Sequence, residues 1–217
     1  GRGLYALVNN AGVFFHAPMI EVSEEDMNFM MDVNVFGPYR VTKAFAPMLI
    51  QSKGRISTTS SIAGVSAGPM FGPYSMSKFA IEAFTDALGA EMRKFDVQVS
   101  AIEPGNFKSN IMKNMHKRMA QMEKNNTQTL FKAEYQAMLG FTEEDRTKHK
   151  DPIVVAEALY HALFAEQPKS RYMVVPSQNE ANIAVRSLLN RAVQMNSGHQ
   201  FSRSSVELTE ALNSLIK

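Results

Sequence analysis

Apolar positions along the chain fall into two kinds of block, short unbroken runs and longer stretches that repeat every three or four residues. The first run, Leu4 to Val8, is closed by Asn9-Asn10-Ala11-Gly12 and predicts a strand buried on both faces that ends in a turn. Ser23 with Asp26 three residues on has the form of a capping box, and a helical pattern follows through Met27, Met30 and Met31. A break is expected between Asn34 and Pro38, after which the pattern resumes through Val41, Phe45 and Leu49 and stops at Gly54. Residues 55–61, Arg-Ile-Ser-Thr-Thr-Ser-Ser, are β-prone yet rich in hydroxyls for a core strand. Gly64, Gly68, Pro69, Gly72 and Pro73 punctuate a loop, and the stripe Ile81, Phe84, Leu88 and Met92 predicts a helix over about residues 75–94.

Val97-Gln98-Val99-Ser100-Ala101-Ile102 reads as a further strand, stopped by Pro104-Gly105. Residues 108–150 are less regular, with helical pieces. Met112, Met115, Met119 and Met122 fall on one helical face, while Lys113, Lys117 and Lys124 lie off it. Such a stripe is core, or a flexible lid over an apolar substrate, or a membrane-surface helix. Asp151-Pro152 has the form of an N-cap and first-turn proline opening a helix to about Gln167. Arg171 to Pro176 predicts a last short strand, followed by helices over about residues 179–196 and 205–216.

Strand and helix in alternation predict an α/β fold, a parallel sheet with helices on both faces, in one domain spanning residues 1–217. Ligands bind such sheets beyond the carboxyl ends of the strands. Asn9 to Gly12, Ser60 to Gly64, Pro104 to Ser109 and the loop before Tyr74 should therefore converge on one crevice.

Composition narrows the function classes. The 217 residues hold 23 basic and 21 acidic side chains, a net charge of +2, which gives no drive towards nucleic acid or anionic membrane. The chain has no cysteine, so disulfides, a thiolate nucleophile and a cysteine metal site are excluded, and a reducing compartment such as the cytoplasm fits. Five scattered histidines lack ligand spacing, so no metal is expected. No apolar run approaches the roughly 20 residues of a membrane span, and the start lacks a signal-peptide pattern.

One pair stands out chemically. Tyr74 and Lys78 are four apart and share a helix face, so an ammonium beside the phenol is expected to lower its pKa and make it a usable acid or base. The plain alternative is that the pair merely packs.

Taken together, Asn9-Asn10-Ala11-Gly12, Asn34, Ser61, Tyr74-x-x-x-Lys78 and Pro104-Gly105-Asn106-Phe107-Lys108-Ser109 resemble, in order and spacing, the classical short-chain dehydrogenases/reductases. Ser61 stands thirteen before Tyr74, as in that family's pattern. Ile102-Glu103-Pro104-Gly105 and Phe79-x-x-Glu82-Ala83-Phe84-Thr85-Asp86 look most like the branch of retinol, hydroxysteroid and 3-hydroxybutyrate dehydrogenases. The resemblance implies a Rossmann-like doubly wound sheet and hydride transfer between NAD or NADP and an alcohol or carbonyl. It implies that Tyr74 exchanges the proton, Lys78 lowers its pKa and holds the nicotinamide ribose, Ser61 binds the substrate oxygen, and Asn34 helps place a relay water. The backbone around Asn9, Ala11 and Gly12 would line the cofactor cleft, and the loop with Pro104, Gly105, Phe107 and Ser109 would cover the nicotinamide, the family usually having threonine in place of Ser109.

Ser61, Met70, Phe71, Asn106 and Met112 are the expected substrate contacts, and their mostly apolar character favours a lipophilic alcohol or ketone over a sugar. A homodimer or homotetramer of the complete protein is implied. The family's glycine-rich strand-turn-helix is absent, because Gly1-Arg2-Gly3 opens on the family's fourth strand. The expected fold is therefore the C-terminal half of the sheet, about four strands with Leu4 to Val8 at its edge, plus C-terminal helices. Two other readings are open: a truncated, non-catalytic partner-binding domain, and an epimerase or dehydratase using the same Tyr-Lys site.

Overall fold

The computed structural model describes residues 3–111, 115, 118, 119, 122, 128–140 and 149–216. Four strands, β1 (Ala6–Asn9), β2 (Arg55–Thr59), β3 (Gln98–Pro104) and β4 (Arg171–Val174), form one parallel sheet in the order β1-β2-β3-β4. Leu7 lies opposite Ile56, Ile56 opposite Val99, and Ile102 opposite Tyr172. Val99 and Ile102 are three apart on one strand and so project from opposite faces.

Val99 joins Leu7, Ile56, Leu49, Leu88 and Met92 in one apolar layer, under α2 (Gly37–Ser52) and α3 (Gly72–Met92). Ile102 and Tyr172 pack on the other face, against Val155, Leu159 and Ala162 of α5 (Ile153–Phe164). The sheet is thus covered on both sides, which is why even the polar strand residues Ser57, Thr58 and Ser100 are buried.

Ser23 caps α1 (Glu24–Met31), its hydroxyl accepting from the Asp26 N–H at 3.1 Å. The expected break after α1 is instead a π turn, Asp32–Phe36, that runs on into α2, so winding continues with one wider turn. Strand β2 ends at Thr59, leaving Ser60 and Ser61 in the loop beyond it. Helix α3 starts at Gly72, earlier than expected, because Pro73 is preorganised for a first turn.

Asp151 does not cap α5, which begins after Pro152 and ends at Phe164 rather than Gln167. The remaining helices are α4 (Lys132–Leu139), α6 (Gln178–Asn196) and α7 (Ser205–Leu215), the last opened by a capping box between Ser204 and Glu207. Met115 and Met119 are fully buried against Phe14, Phe15, Met30 and Tyr135, the core reading of the methionine stripe for those two. Among the described residues no helix is long and apolar enough to cross a membrane.

Candidate active site

The carboxyl ends of β1, β2 and β3 and the first turns of α3 meet at one place. Asn34 organises it from the π turn. Its Oδ1 accepts the Val13 N–H (2.8 Å), and its Nδ2 donates to the Val13 carbonyl (2.9 Å) and to Ser77 Oγ (2.9 Å). Ser77 Oγ donates in turn to the Tyr74 carbonyl at 2.7 Å. A buried amide thus clamps the loop after β1 to the first turns of α3, a reason for a π turn to persist here.

Ser61 caps the short 3₁₀ turn Ile62–Gly64: its Oγ accepts the Ala63 N–H (3.1 Å) and donates to the Pro104 carbonyl (3.3 Å). Gly64 permits the close approach of this turn to α3, since a Cβ there would lie 2.8 Å from Glu82 Cγ and 3.1 Å from the Lys78 carbonyl. Lys78 is buried, its Nζ 5.6 Å from the Tyr74 ring centre and 2.9 Å from the Thr59 carbonyl that it donates to.

Burial decides the electrostatics. It pushes the Tyr74 phenol up to about 12, with the Ser61 hydroxyl hydrogen bond pulling the other way. The expectation that Lys78 lowers this pKa is therefore corrected: the ammonium donates to a backbone carbonyl instead of the phenol, and desolvation dominates. Burial also brings Lys78 down to about 8, opposed by the charge of Glu82 one turn on.

Glu82 belongs to a buried cluster in which Arg171 of β4 donates to Glu82 (2.7 Å) and Glu103 (2.8 Å) and reaches Asp86 (2.9 Å). Burial and the neighbouring Glu82 charge raise Glu103 to about 7 against the pull of Arg171.

Two cavities share this centre. One of about 570 Å³ is lined by Asn10, Gly12, Thr59 and Lys78. The other, about 340 Å³, is lined by Phe14, His16, Ile62, Phe71, Asn106 and Glu180. Ser61, Tyr74, Gly105, Phe107 and Ser109 line both, so the two hydroxyls stand at the wall between them. A larger hollow of about 780 Å³ runs towards the Arg118–Asp26 ion pair but touches none of Ser61, Tyr74 and Lys78, so the chemistry is assigned to the smaller two.

The sequence profile of the family described as short chain dehydrogenase matches residues 2–120. The chain belongs to this family. It is 43% identical over 106 residues to mouse mitochondrial D-beta-hydroxybutyrate dehydrogenase, a match covering 49% of this chain and 31% of that protein. It is 36% identical over 183 residues to an NADPH-dependent 3-dehydrocapnine reductase of Ornithobacterium rhinotracheale, covering 82% of this chain and 63% of that one. The chain therefore spans less than two thirds of these relatives. A short-chain dehydrogenase from Streptomyces avermitilis superposes with a TM-score of 0.66 at 25% identity, over 98% of this chain and 70% of the other. One from Burkholderia phymatum, solved in complex with NAD, gives 0.70 at 23% identity over 93% and 70%, a likeness of fold.

Within this short-chain dehydrogenase, Asn34, Ser61, Tyr74 and Lys78 come together as one linked group. Gly12, Pro104, Gly105, Phe107 and Ser109 line the larger of the two cavities. Asn10 lines it as well, while Asn9 and Ala11 do not wall it. The Asn9 side chain donates through Nδ2 to Thr42 Oγ1 (3.0 Å) and approaches Thr58 Oγ1 (3.5 Å), tying β1 to α2 and β2 and leaving its backbone for the cleft.

Phe71 and Asn106 line the smaller cavity, but Met70 does not. Met70 is buried beside Phe14 in a turn with φ of 68°, where its carbonyl accepts the Ala17 N–H at 2.9 Å. Met112 lies outside the described residues. Sequence reasoning missed Phe14, His16 and Glu180. The alternation of Phe14 and His16 just after the β1 turn is a signal for the first two. Glu180 carries none, being 74 residues from the Asn106 amide it binds. Among the described residues no group of three His, Asp or Glu could hold a metal.

Proposed function

We propose that the chain carries the proton-transfer centre of an NAD(P)-dependent oxidoreductase that interconverts a lipophilic alcohol with its ketone or aldehyde. The observation that carries this is the shared wall: Ser61 and Tyr74 hydroxyls stand between a cavity holding a buried ammonium and a cavity lined by Phe14, Ile62, Phe71 and Phe107. Two compartments meeting at two hydroxyls suit two reactants and one proton.

The donor set of the larger cavity fits the ribose end of a nicotinamide cofactor. Lys78 carries three N–H donors and uses one on Thr59 among the described residues, and Gly12 leaves open the space that a Cβ would fill 3.9 Å from that nitrogen. Lys78 and Tyr74 would hold the ribose, with Gly12 and the loop from Pro104 to Ser109 alongside. A nicotinamide held there would supply or accept the hydride. The chain's residues do the rest. Ser61 Oγ donates to the substrate oxygen and fixes it against Tyr74. The phenol, protonated at neutral pH, gives its proton to that oxygen as negative charge develops there. The reverse direction needs the phenolate, which the Ser61 hydroxyl hydrogen bond favours against burial.

The epimerase or dehydratase alternative uses the same residues but yields a product without net oxidation or reduction. A homodimer or homotetramer is also proposed, supported by the exposed Phe36, Tyr39, Phe45 and Met48 on and beside α2, and sedimentation velocity reads it directly.

The deciding experiment takes the chain together with whatever its upstream coding sequence adds. Nicotinamide absorbance is followed with a secondary alcohol and the matching ketone, for wild type and Tyr74→Phe. Loss of about 100- to 10,000-fold in kcat with retained cofactor binding is expected. Undiminished turnover in the variant, or no turnover of either substrate by the wild type, defeats the reading.

A further inference from the structure

The smaller cavity has a feature that its apolar lining does not predict. Among the described residues that line it, no lysine or arginine occurs, and the one acidic side chain is Glu180. Lys78 and Lys108 line the neighbouring cavity instead, and Lys150 donates to the Pro176 carbonyl at 2.7 Å. His16 is buried between the rings of Phe14 and Phe71, at 4.6 and 4.3 Å.

Glu180 is a built part of this wall. It lies in the first turn of α6, after the Ser177 cap, where a carboxylate faces the positive end of the helix. Its Oε2 accepts the Asn106 N–H at 2.7 Å, while Oε1 accepts no hydrogen bond from the described residues. Gly105 makes the seat possible, because a Cβ at that position would collide with Glu180 Oε2. The carboxylate is thereby held against the loop that forms the wall shared with Ser61 and Tyr74 through one of its two oxygens.

We infer that Glu180 sets the substrate class of this pocket, turning away substrates that carry a carboxylate and favouring uncharged alcohols and ketones. The inference rests on the oxidoreductase reading for its catalytic consequence, but not for its binding consequence. A substrate anion confined to the cavity lies within several ångströms of Glu180, with no facing cation among the described lining residues. Like charges at such a distance, at an effective dielectric constant of about 20, separate acid from neutral ligand by about 10- to 100-fold. A hydroxyl or amide N–H on a neutral substrate can instead donate to Oε1.

The test uses hexanoate and hexanamide as matched probes, with ligand-detected NMR binding to wild type and Glu180→Gln at about pH 7.5, above the ordinary histidine pKa of about 6.5. Glutamine keeps an acceptor for the Asn106 N–H and removes the charge. Wild type should bind hexanamide at least about tenfold more tightly than hexanoate. The variant should close that gap, and added salt should narrow it in the wild type only.

Equal response to the two probes in wild type, including none to either, overturns the inference, as does a gap that the substitution leaves intact. Glu180→Asp, which keeps the charge, should retain the gap and separates charge from loop disturbance. The kcat/KM ratio for a 3-hydroxy acid against its ethyl ester should follow the same pattern. Turnover failing while the binding gap holds refutes the oxidoreductase reading alone.

Discussion

Replacing Arg171 with methionine tests whether the β4 cation neutralises the two carboxylates beneath the active site. The substitution keeps an apolar stem of similar length and removes three contacts, to Glu103 at 2.8 Å, Glu82 at 2.7 Å and Asp86 at 2.9 Å. The Asp86 side chain is 62% exposed, so its loss contributes little. Glu82 and Glu103 are different: their side chains are 8% and 6% exposed and would be left as buried charges without their partner from β4, Glu82 keeping only the Lys78 charge one turn away. Breaking a buried pair costs about 3–5 kcal/mol. Arg171 is itself 38% exposed, so water screens part of its attraction and the lower figure, about 3 kcal/mol, applies.

For a chain of this size that corresponds to a fall in Tm of about 6–12 °C. The sign of the pH dependence follows from linkage. A carboxyl whose folded pKa stands above its unfolded one, as Glu103 does at about 7, binds more protons folded than unfolded, so stability falls as pH rises through that range. Removing the cation enlarges this effect. The deficit of the variant, measured by urea unfolding, should therefore be largest at about pH 8 and shrink towards about 1 kcal/mol at pH 5.5. A deficit below about 1 kcal/mol at the higher pH, or one equal at both, refutes the neutralisation argument.

Two further outcomes follow from the same geometry. Asn34→Ala strands the Val13 N–H and carbonyl and the Ser77 hydroxyl, and should lower stability by about 2–4 kcal/mol in thermal unfolding; a loss under about 1 kcal/mol would mean that water replaces the amide. Lys78, brought down to about 8 from an ordinary 10.5, binds fewer protons folded than unfolded between those values, so stability should rise with pH across that window by up to about 3 kcal/mol. Ketone reduction should fall as pH rises through about 8, where the folded protein loses the ammonium, and Lys78→Met should abolish both trends.

The strands and several helix limits were legible because burial on both faces leaves short apolar runs, and because Ser23 marks a local start that tertiary contacts do not override, whereas Pro73, read as part of the loop, lies inside the first turn of α3. The Asn34–Pro38 region was misread for a definable reason. Pro38 lacks an N–H and suggests a break, but the turn is held by an amide reaching Val13, 21 residues away, and Ser77, 43 residues away. Helical spacing alone does not contain those bonds. The same limit explains Met70, an apolar residue beside the loop that turns into the core.

The Tyr74 pKa shows where local reasoning stops. Spacing of four residues correctly set Lys78 near the ring, and from that alone a lowered phenol pKa follows. Burial reverses the sign, and burial is a property of the whole fold. It acts on Lys78 too, and would strip its proton at lower pH were Glu82 not one helical turn away. Glu82 can stay buried there because Arg171 reaches it from β4, 89 residues on, in a strand that no motif marks. The charge state of the motif lysine therefore depends on a residue outside every motif, and a match of Tyr-x-x-x-Lys in a chain lacking that cation would not imply the same proton chemistry.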